Sequence, residues 1–312
     1  MSATRREFIA TSLGSAAAVA TDAVLLAQQT FFAGFQSLKI QTSGATINVL
    51  RGGSGPPLLL IHGYPQTHVE WHTIAPRLAQ KFTVVMTDLR GYGDSSKPPD
   101  GENHAGYSKR AMALDHIEVM KALGFDRFAV VGHDRGARVA WRMCIEHPQA
   151  ITKAAVIDIV PLPYSMVTRE FATGYYHWFF LIQPAPFPET MIGNSADYYL
   201  RSRFVGGNFF APEAVAEYLR AFKDPATIHA TCEDYRAGAT IDIMHSDETK
   251  DRKVQCPLLV LWGERGLVGR IYDVMKIWRE HAVNVTGKSL PGGHFLPEEL
   301  PEETLAALSG FL

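Results

Sequence analysis

Phe128-Ala-Val-Val-Gly-His-Asp-Arg-Gly-Ala-Arg-Val-Ala-Trp141 is the stretch of the sequence from which the fold can be predicted. Residues 128–131 are apolar and contain two β-branched valines, a pattern typical of a strand buried in a parallel sheet. Residues 138–146 have a helical pattern, which His147-Pro148 ends. The stretch therefore predicts a strand, a tight turn and a helix in immediate succession.

The turn places Gly132 two residues before Asp134 and Gly136 two residues after it. This spacing is typical of a sharp strand-to-helix turn that holds a nucleophile above a sheet, because only glycine tolerates the crowding. The central residue is usually serine. Asp134 cannot form an ordinary acyl-enzyme, but its carboxylate can displace a leaving group from carbon.

Two further motifs occur in the order that this kind of fold requires. His62-Gly63-Tyr64-Pro65 follows the apolar run 58–61, and Gly292-Gly293-His294 lies close to the C-terminus. In α/β-hydrolases the first position supplies an oxyanion-hole N–H and the second supplies the last member of a catalytic triad. We therefore predict an α/β-hydrolase fold with backbone N–H groups of Tyr64 and Arg135 as the oxyanion hole.

The rest of the chain alternates apolar strand patterns with helical ones, which predicts a mostly parallel sheet flanked by helices. A buried strand is expected at 154–160. Residues 161–249 break the rhythm, since they are aromatic, rich in proline and largely helical in pattern. We interpret 28–160 and 250–312 as the catalytic core and 161–249 as an inserted helical cap.

Charge, cysteine content and hydropathy point away from nucleic-acid binding, from a metal or disulfide framework and from membrane insertion. The 312 residues carry a formal net charge of −2, which gives no reason to expect nucleic acid as a partner. The three cysteines, Cys144, Cys232 and Cys256, are scattered, so buried inert thiols are expected rather than a metal site or a disulfide framework. Beyond the N-terminus, no stretch is long and apolar enough to predict stable insertion in a membrane.

The first 27 residues differ from the rest of the chain. Arg5-Arg6 followed by Phe8 precedes a stretch rich in alanine and serine with little charge, and small residues offer cleavage sites. This pattern is typical of a twin-arginine export signal. We expect residues 1–27 to be removed and the protein to be periplasmic, with a cytoplasmic location as the alternative if the signal does not function.

A catalytic histidine needs a carboxylate that fixes its tautomer and stabilises its protonated form. In many α/β-hydrolases this acid follows the strand that here ends at Trp262, but Gly266 occupies the expected position. Glu264 remains an alternative. The better candidate is Asp158, because a carboxylate within a buried apolar strand has a cost unless it is paired. The predicted catalytic set is therefore Asp134, His294 and Asp158.

Arg135 and Arg138 follow the nucleophile closely enough to face the same pocket. Two guanidinium groups there would hold a substrate carboxylate through charge-assisted hydrogen bonds and keep Asp134 ionised. The alternative interpretation is a pair of arginines that bind nearby acids, which is easier to accept for Arg138 than for Arg135.

Gly132-His-Asp-Arg-Gly-Ala-Arg138 resembles the corresponding turn of fluoroacetate dehalogenases, and the resemblance extends from about residue 58 to His294. It implies cleavage of the carbon–halogen bond of a 2-haloacid, with His177, Trp178 and Tyr235 as the halide-binding residues. An aromatic core of the cap is the other interpretation of His177 and Trp178. Tyr64 departs from the family, in which phenylalanine is expected.

The hypothesis is hydrolytic dehalogenation of fluoroacetate or a similar haloacid through an ester on Asp134, with a small-molecule substrate and no metal or organic cofactor. An epoxide hydrolase is the alternative, since it uses the same nucleophile with cap tyrosines such as Tyr175, Tyr176 and Tyr235. Neither it nor a haloalkane dehalogenase gives Arg135 and Arg138 a purpose. The alternative outside enzymes is a small-molecule receptor on a hydrolase scaffold. A homodimer is compatible with the resemblance alone.

Overall fold

The computed structural model describes residues 31–161, 167–204 and 208–312. The predicted export signal at residues 1–27 lies outside these ranges, so it stays a prediction. No helix in the described ranges is long and apolar enough to cross a bilayer.

An eight-stranded sheet forms the centre of the described chain, with the strand order β1-β2-β4-β3-β5-β6-β7-β8. The pairs β1–β2 and β2–β4 are antiparallel, and every pair from β4–β3 to β7–β8 is parallel. This arrangement confirms the predicted α/β-hydrolase fold. The strands are β1 Gln36–Gln41, β2 Thr46–Gly52, β3 Pro57–Ile61, β4 Thr83–Thr87, β5 Phe128–His133, β6 Ile151–Ile157, β7 Leu258–Gly263 and β8 Val285–Leu290.

Helices cover the sheet. Between β6 and β7 the described residues form seven consecutive helices and no strand, in the region interpreted as a cap; no observation tests the predicted boundaries of 161–249. Short 3₁₀ helices occupy His68–Trp71 and Glu102–Tyr107. The α-helices are α1 Ala75–Leu78, α2 Lys109–Ala122, α3 Asp134–Glu146, α4 Arg169–Gly174, α5 Tyr176–Leu181, α6 Phe187–Gly193, α7 Ala196–Arg203, α8 Pro212–Phe222, α9 Pro225–Ala239, α10 Ile241–Glu248, α11 Leu267–Ile271, α12 Val274–His281, α13 Leu296–Glu299 and α14 Pro301–Phe311.

The sharp turn after β5 is present and is tighter than the sequence pattern indicated. The strand continues to His133 and α3 begins at Asp134 itself, so no loop separates them. Asp134 has a φ of 46°, in the left-handed region that few residues other than glycine adopt. The structure therefore holds the Asp134 backbone in a strained conformation, as is common for functional residues.

The glycines around Asp134 are required by close approach of the main chain. A Cβ atom on Gly136 would lie 2.3 Å from the carbonyl oxygen of Ile61, and one on Gly132 would lie 2.4 Å from the carbonyl oxygen of Gly136. The end of β3 and the start of α3 thus pack directly against each other. This contact brings the motif after β3 next to Asp134.

The strand predicted at 154–160 is shifted in the structure. β6 spans Ile151–Ile157, and Asp158 is the first residue beyond it, with a φ of 55°. The strand prediction was wrong at its C-terminal end, because the Asp158 backbone turns into the left-handed region after its N–H bonds the carbonyl oxygen of Leu261, and its carboxylate accepts from the N–H of Gly263. The residue consequently lies at the carboxyl edge of the sheet, where Asp134 also lies.

We expect Gly136→Ala to lower the free energy of unfolding by about 1–3 kcal/mol, because the added methyl group overpacks the contact between β3 and α3. Thermal unfolding of the purified variant measures the effect. Gly310→Ala in α14 is the matched control, since its Cβ would meet no atom within 4 Å, and it should leave the melting temperature unchanged or raise it. Equal melting temperatures for Gly136→Ala and the wild type would contradict this account of the turn.

Candidate active site

Asp134, His294 and Asp158 meet at the carboxyl edge of the sheet. His294 Nδ1 lies 2.5 Å from Asp158 Oδ2, and His294 Nε2 lies 3.7 Å from Asp134 Oδ2. The second oxygen of Asp158 accepts a hydrogen bond of 3.0 Å from the N–H of Gly263, at the end of β7. Both carboxylate oxygens of Asp158 are therefore occupied, which fixes the orientation of the His294 ring.

Glu264, the alternative acid, does not contact His294. Its carboxylate accepts a hydrogen bond of 2.8 Å from the Ser289 hydroxyl at an exposed position. The geometry therefore favours Asp158 as the carboxylate that pairs with His294.

The two carboxylate oxygens of Asp134 have different surroundings. Oδ1 accepts a hydrogen bond of 3.0 Å from the backbone N–H of Tyr64, whereas Oδ2 faces His294. Burial alone would raise the pKa of Asp134, but the nearby His294, His133 and Tyr64 N–H hold it below its ordinary value. Asp134 is thus an ionised carboxylate with one oxygen bound by a predicted oxyanion-hole donor and the other available for attack.

The Tyr64 side chain reaches from the core to the cap. Its ring is stacked 6.1 Å from that of His177, and its hydroxyl donates to the hydroxyl of Tyr199 on α7 over 3.3 Å. Burial raises the pKa of Tyr64 well above its ordinary value, so the hydroxyl stays protonated. The substitution of tyrosine for the expected phenylalanine therefore adds a polar contact between the core and α7.

Asp134 and His294 line a cavity of about 360 Å³ together with the three residues predicted to bind halide. The His177 Nδ1 atom is buried without a hydrogen-bond partner among the described residues. Burial, and then the charge of Arg203, lower the pKa of His177 far below its usual range, so its ring is neutral. His177, Trp178 and Tyr235 thus line the same cavity as Asp134, and their halide-binding role stays a prediction.

The two arginines predicted to bind a substrate carboxylate line a neighbouring cavity of about 220 Å³. Arg135 Nε and Nη2 donate to the carboxylate of Asp234 over 2.9 and 2.7 Å. The Arg138 guanidinium lies 5.0 Å from the centre of the Trp178 ring, and Trp178 borders both cavities.

Both arginines therefore lie beside residues that line the Asp134 cavity. Arg135 pairs with the buried carboxylate of Asp234 and lies 4.2 Å from the centre of the Tyr235 ring, and Arg138 packs over Trp178. The Nη1 group of Arg135 makes no hydrogen bond to a described residue. Their role in binding a substrate carboxylate stays a prediction.

A buried ion pair between Glu70 and His133, which no sequence motif predicts, contacts all three catalytic loops. His133 Nδ1 lies 3.1 Å from Glu70 Oε1, and both side chains are fully buried. Glu70 Oε2 accepts a hydrogen bond of 2.8 Å from the Gly63 N–H, and His133 Nε2 lies 2.8 Å from the carbonyl oxygen of His294. The pair therefore joins the loop of Tyr64, the residue before Asp134 and the loop of His294.

Protonation of His133 would let Nε2 donate to the His294 carbonyl while the positive charge of the ring pairs with the Glu70 carboxylate. Burial would lower its pKa, but the Glu70 carboxylate, aided by Asp134 and Asp158, raises the pKa of His133 to about 9. A buried pair is costly unless its remaining polar groups are satisfied. The Gly63 N–H and the His294 carbonyl supply those partners.

Comparison with known proteins places this geometry in context. The profile of the alpha/beta hydrolase fold family matches residues 56–300. A fluoroacetate dehalogenase from Burkholderia sp. is 46% identical over 288 residues, which cover 90% of this chain and 95% of that protein. A soluble epoxide hydrolase from Corynebacterium sp. (strain C12) is 32% identical over 83% of this chain and 91% of its own length. The crystal structure of an alpha/beta hydrolase from Nostoc sp. PCC 7120 is 56% identical, with a TM-score of 0.87, and covers 89% of this chain and 97% of its own.

We expect His133→Gln and Glu70→Gln each to lower kcat by about 10- to 100-fold, because displacing catalytic groups by about 1 Å is that costly. Turnover of the best substrate by folded variants measures this. His229→Gln is the matched control: it also removes a histidine that contacts carboxylates, at 3.0 Å from Glu189 and from Asp100, but its partners lie outside the catalytic loops. Its kcat should be retained.

A positioning role also has a pH signature. The folded-state pKa of His133 is raised from an ordinary 6.5 to about 9, so its stabilising contribution is complete below about pH 6.5 and is lost as the pH rises through about 9. The difference in melting temperature between the wild type and His133→Gln should therefore shrink from pH 6 to pH 10. A constant difference over this range would contradict the charged pair.

Proposed function

This chain belongs to the α/β-hydrolase family, and from that premise we propose that it hydrolyses 2-haloacids such as fluoroacetate or chloroacetate to the 2-hydroxy acid and halide. The observation that carries the proposal is the arrangement of Asp134, which presents one oxygen to the Tyr64 N–H and the other towards His294. A carboxylate in this position forms esters by attack on saturated carbon. The 46% identity to a fluoroacetate dehalogenase supports the choice of substrate.

In the first step Asp134 Oδ2 attacks C2 of the acid from the side opposite the halogen. A carbon–oxygen bond forms as the carbon–halogen bond breaks, and the halide leaves with the bonding electron pair. His177, Trp178 and Tyr235 line the same cavity, and their N–H and O–H groups would stabilise the charge that develops on the halide.

In the second step water hydrolyses the ester at the carbonyl carbon of Asp134. His294 Nε2 takes a proton from the water, and Asp158 stabilises the imidazolium that forms. The ester carbonyl oxygen would be Oδ1, the atom that already accepts from the Tyr64 N–H, so that donor would bind the oxyanion. Cleavage restores the Asp134 carboxylate and releases the 2-hydroxy acid and a proton.

The carboxylate of the acid is assigned to Arg135 and Arg138. Arg135 retains its Nη1 group for a ligand after binding Asp234, and both guanidinium groups stand against the aromatic rings of Tyr235 and Trp178. A bound carboxylate would thus lie at the border between the two cavities. This assignment explains why cations flank a nucleophile that attacks a small acid.

An epoxide hydrolase is a second candidate, because buried tyrosines are available to protonate an epoxide oxygen. Tyr175 and Tyr235 both line the Asp134 cavity, and the Tyr175 ring lies 6.5 Å from that of His294. The 32% identity to a soluble epoxide hydrolase also supports it. An epoxide substrate would leave Arg135 and Arg138 without a ligand, so we prefer the haloacid. A small-molecule receptor without catalytic activity would also leave the arrangement of Asp134, His294 and Asp158 unexplained.

We expect the protein lacking residues 1–27 to release fluoride from fluoroacetate or chloride from chloroacetate, measured with ion-selective electrodes. The rate of halide release should fall at least about 10³-fold in Asp134→Asn, because the amide cannot act as the nucleophile. His294→Gln should release one equivalent of halide and then stop. Mass spectrometry should show the ester on the Asp134 peptide.

Arg201→Gln, an exposed variant on α7, is the control for both active-site variants. A folded wild type that released no halide from either acid but opened neutral epoxides would overturn the haloacid assignment in favour of the second candidate. If the folded protein catalysed neither reaction but still bound small acids, the result would indicate a small-molecule receptor.

We also propose that the protein is exported to the periplasm through the Arg5-Arg6 signal, because a low-charge segment follows it. Expression with a periplasmic fractionation assay should recover a shortened chain whose new N-terminus lies near residue 28. Arg5→Lys together with Arg6→Lys should retain the chain in the cytoplasm. Full-length protein in the cytoplasm for both forms would contradict export.

A further inference from the structure

Arg203, the last residue of α7, lines the Asp134 cavity. Its guanidinium carbon lies 4.5 Å from the centre of the Tyr176 ring and 5.8 Å from that of Tyr199. Cation–π contacts with two rings hold the group in place. The cap thus contributes a positioned cation to the cavity that contains the nucleophile.

This cation has no carboxylate partner among the described residues. Arg203 Nε is buried without a hydrogen-bond partner, and Nη2 makes only a 3.4 Å contact with the carbonyl oxygen of Ser202. The other arginine of the cavity, Arg265, lies 3.8 Å from Glu299, and Arg201 on the same helix lies 2.9 Å from Asp197. A half-buried guanidinium with unused donors has a desolvation cost that a bound anion would offset.

Arg203 and the pair formed by Arg135 and Arg138 do not share a cavity. Arg203 acts instead on the halide side, where its charge is the strongest charged influence that lowers the pKa of His177. A two-carbon acid has a single carboxylate, so when Arg135 and Arg138 bind that group, no second anion is left for Arg203. The cavity of about 360 Å³ falls within the range of about 300–1,000 Å³ for small-molecule sites, which leaves room for a longer acid.

The geometry of backside attack decides which substituent reaches Arg203. Asp134 Oδ2, C2 and the halogen must lie in line, so the three other substituents of C2 spread around that axis. One of them is the carboxylate assigned to Arg135 and Arg138. The side chain at C2 of a longer acid must then occupy the rest of the cavity, whose lining includes Arg203.

We propose that Arg203 forms a second anion subsite that binds a carboxylate on the C2 side chain, so that the substrates include 2-halodicarboxylic acids. The inference rests on the proposed function, because the reacting carbon is the one that Asp134 attacks. The reaction balances as before: Asp134 displaces halide, water cleaves the ester, and a 2-hydroxydicarboxylic acid, halide and a proton leave. The enzyme would also prefer one enantiomer.

The experiment compares the single enantiomers of 2-chlorosuccinate with those of 2-chlorobutyrate, which has as many carbons but no second carboxylate. Chloride release is measured against blanks without enzyme, and chromatography identifies the 2-hydroxy product to exclude elimination. One enantiomer of 2-chlorosuccinate should be the better substrate. In Arg203→Gln the ratio of its kcat/KM to that of 2-chlorobutyrate should fall about tenfold or more, mainly through KM.

Arg203→Lys should restore part of this ratio because it keeps the charge. Arg201→Gln, whose arginine is exposed on the same helix, should leave the ratio as in the wild type. An equal fall in kcat/KM for both acids in Arg203→Gln would overturn the proposal. It would indicate that Arg203 binds the reacting carboxylate or the halide instead. An unchanged ratio would overturn it as well.

Calorimetric binding of succinate and butyrate separates this inference from the proposed function. Suppose that no haloacid is dehalogenated, but that Arg203→Gln binds succinate about tenfold more weakly than the wild type does and binds butyrate equally well. This result would support the anion subsite and contradict the dehalogenase assignment. If chloroacetate is dehalogenated but Arg203→Gln binds succinate as tightly as the wild type does, the result would contradict the anion subsite and support the dehalogenase assignment.

Discussion

The buried ion pair between Glu70 and His133 is the contact on which the geometry of the active site depends. Through the Gly63 N–H and the His294 carbonyl it fixes three loops that arrive from distant parts of the sequence. Parallel strands deliver these loops to the same edge of the sheet but do not set their separations to within tenths of an ångström. The charged pair supplies that restraint from beneath, without occupying space in the substrate cavity.

The same pair contributes to the electrostatics of Asp134. A buried carboxylate ordinarily tends towards its neutral form, but the positive charge of His133 and the N–H of Tyr64 favour ionisation. The nucleophile is therefore charged before substrate arrives, and its two oxygens are already distinguished by their partners. Attack and ester hydrolysis can then proceed without rearrangement of the donors, which is the advantage of a preorganised site.

The structural elements that could be predicted from the sequence are those that depend on residues close together in the chain. The turn at Asp134 is recognisable because glycines two residues away must admit the backbone of Ile61, and the sheet is recognisable from its apolar runs. Pairings between residues far apart in the sequence could not be predicted. Asp234 lies 99 positions from Arg135, whose guanidinium it binds, and no sequence motif surrounds Glu70. The pairing of Arg135 with Asp234 could therefore not be predicted from the sequence, because it depends on a contact between residues far apart in the chain.

The attachment of the cap to the core is uneven. On α9, Asp234 receives Arg135, Lys109 and the Tyr92 hydroxyl in a fully buried cluster, whereas α7 meets Tyr64 through a single contact between hydroxyl groups. A change at Asp234 on α9 would therefore leave buried charges without a partner, whereas a change at Arg203, on the cavity side of α7, would break no ion pair with a described residue. Selection can accordingly retune specificity on α7 at small cost in stability, so related enzymes with the same nucleophile are free to diverge there towards different substrates.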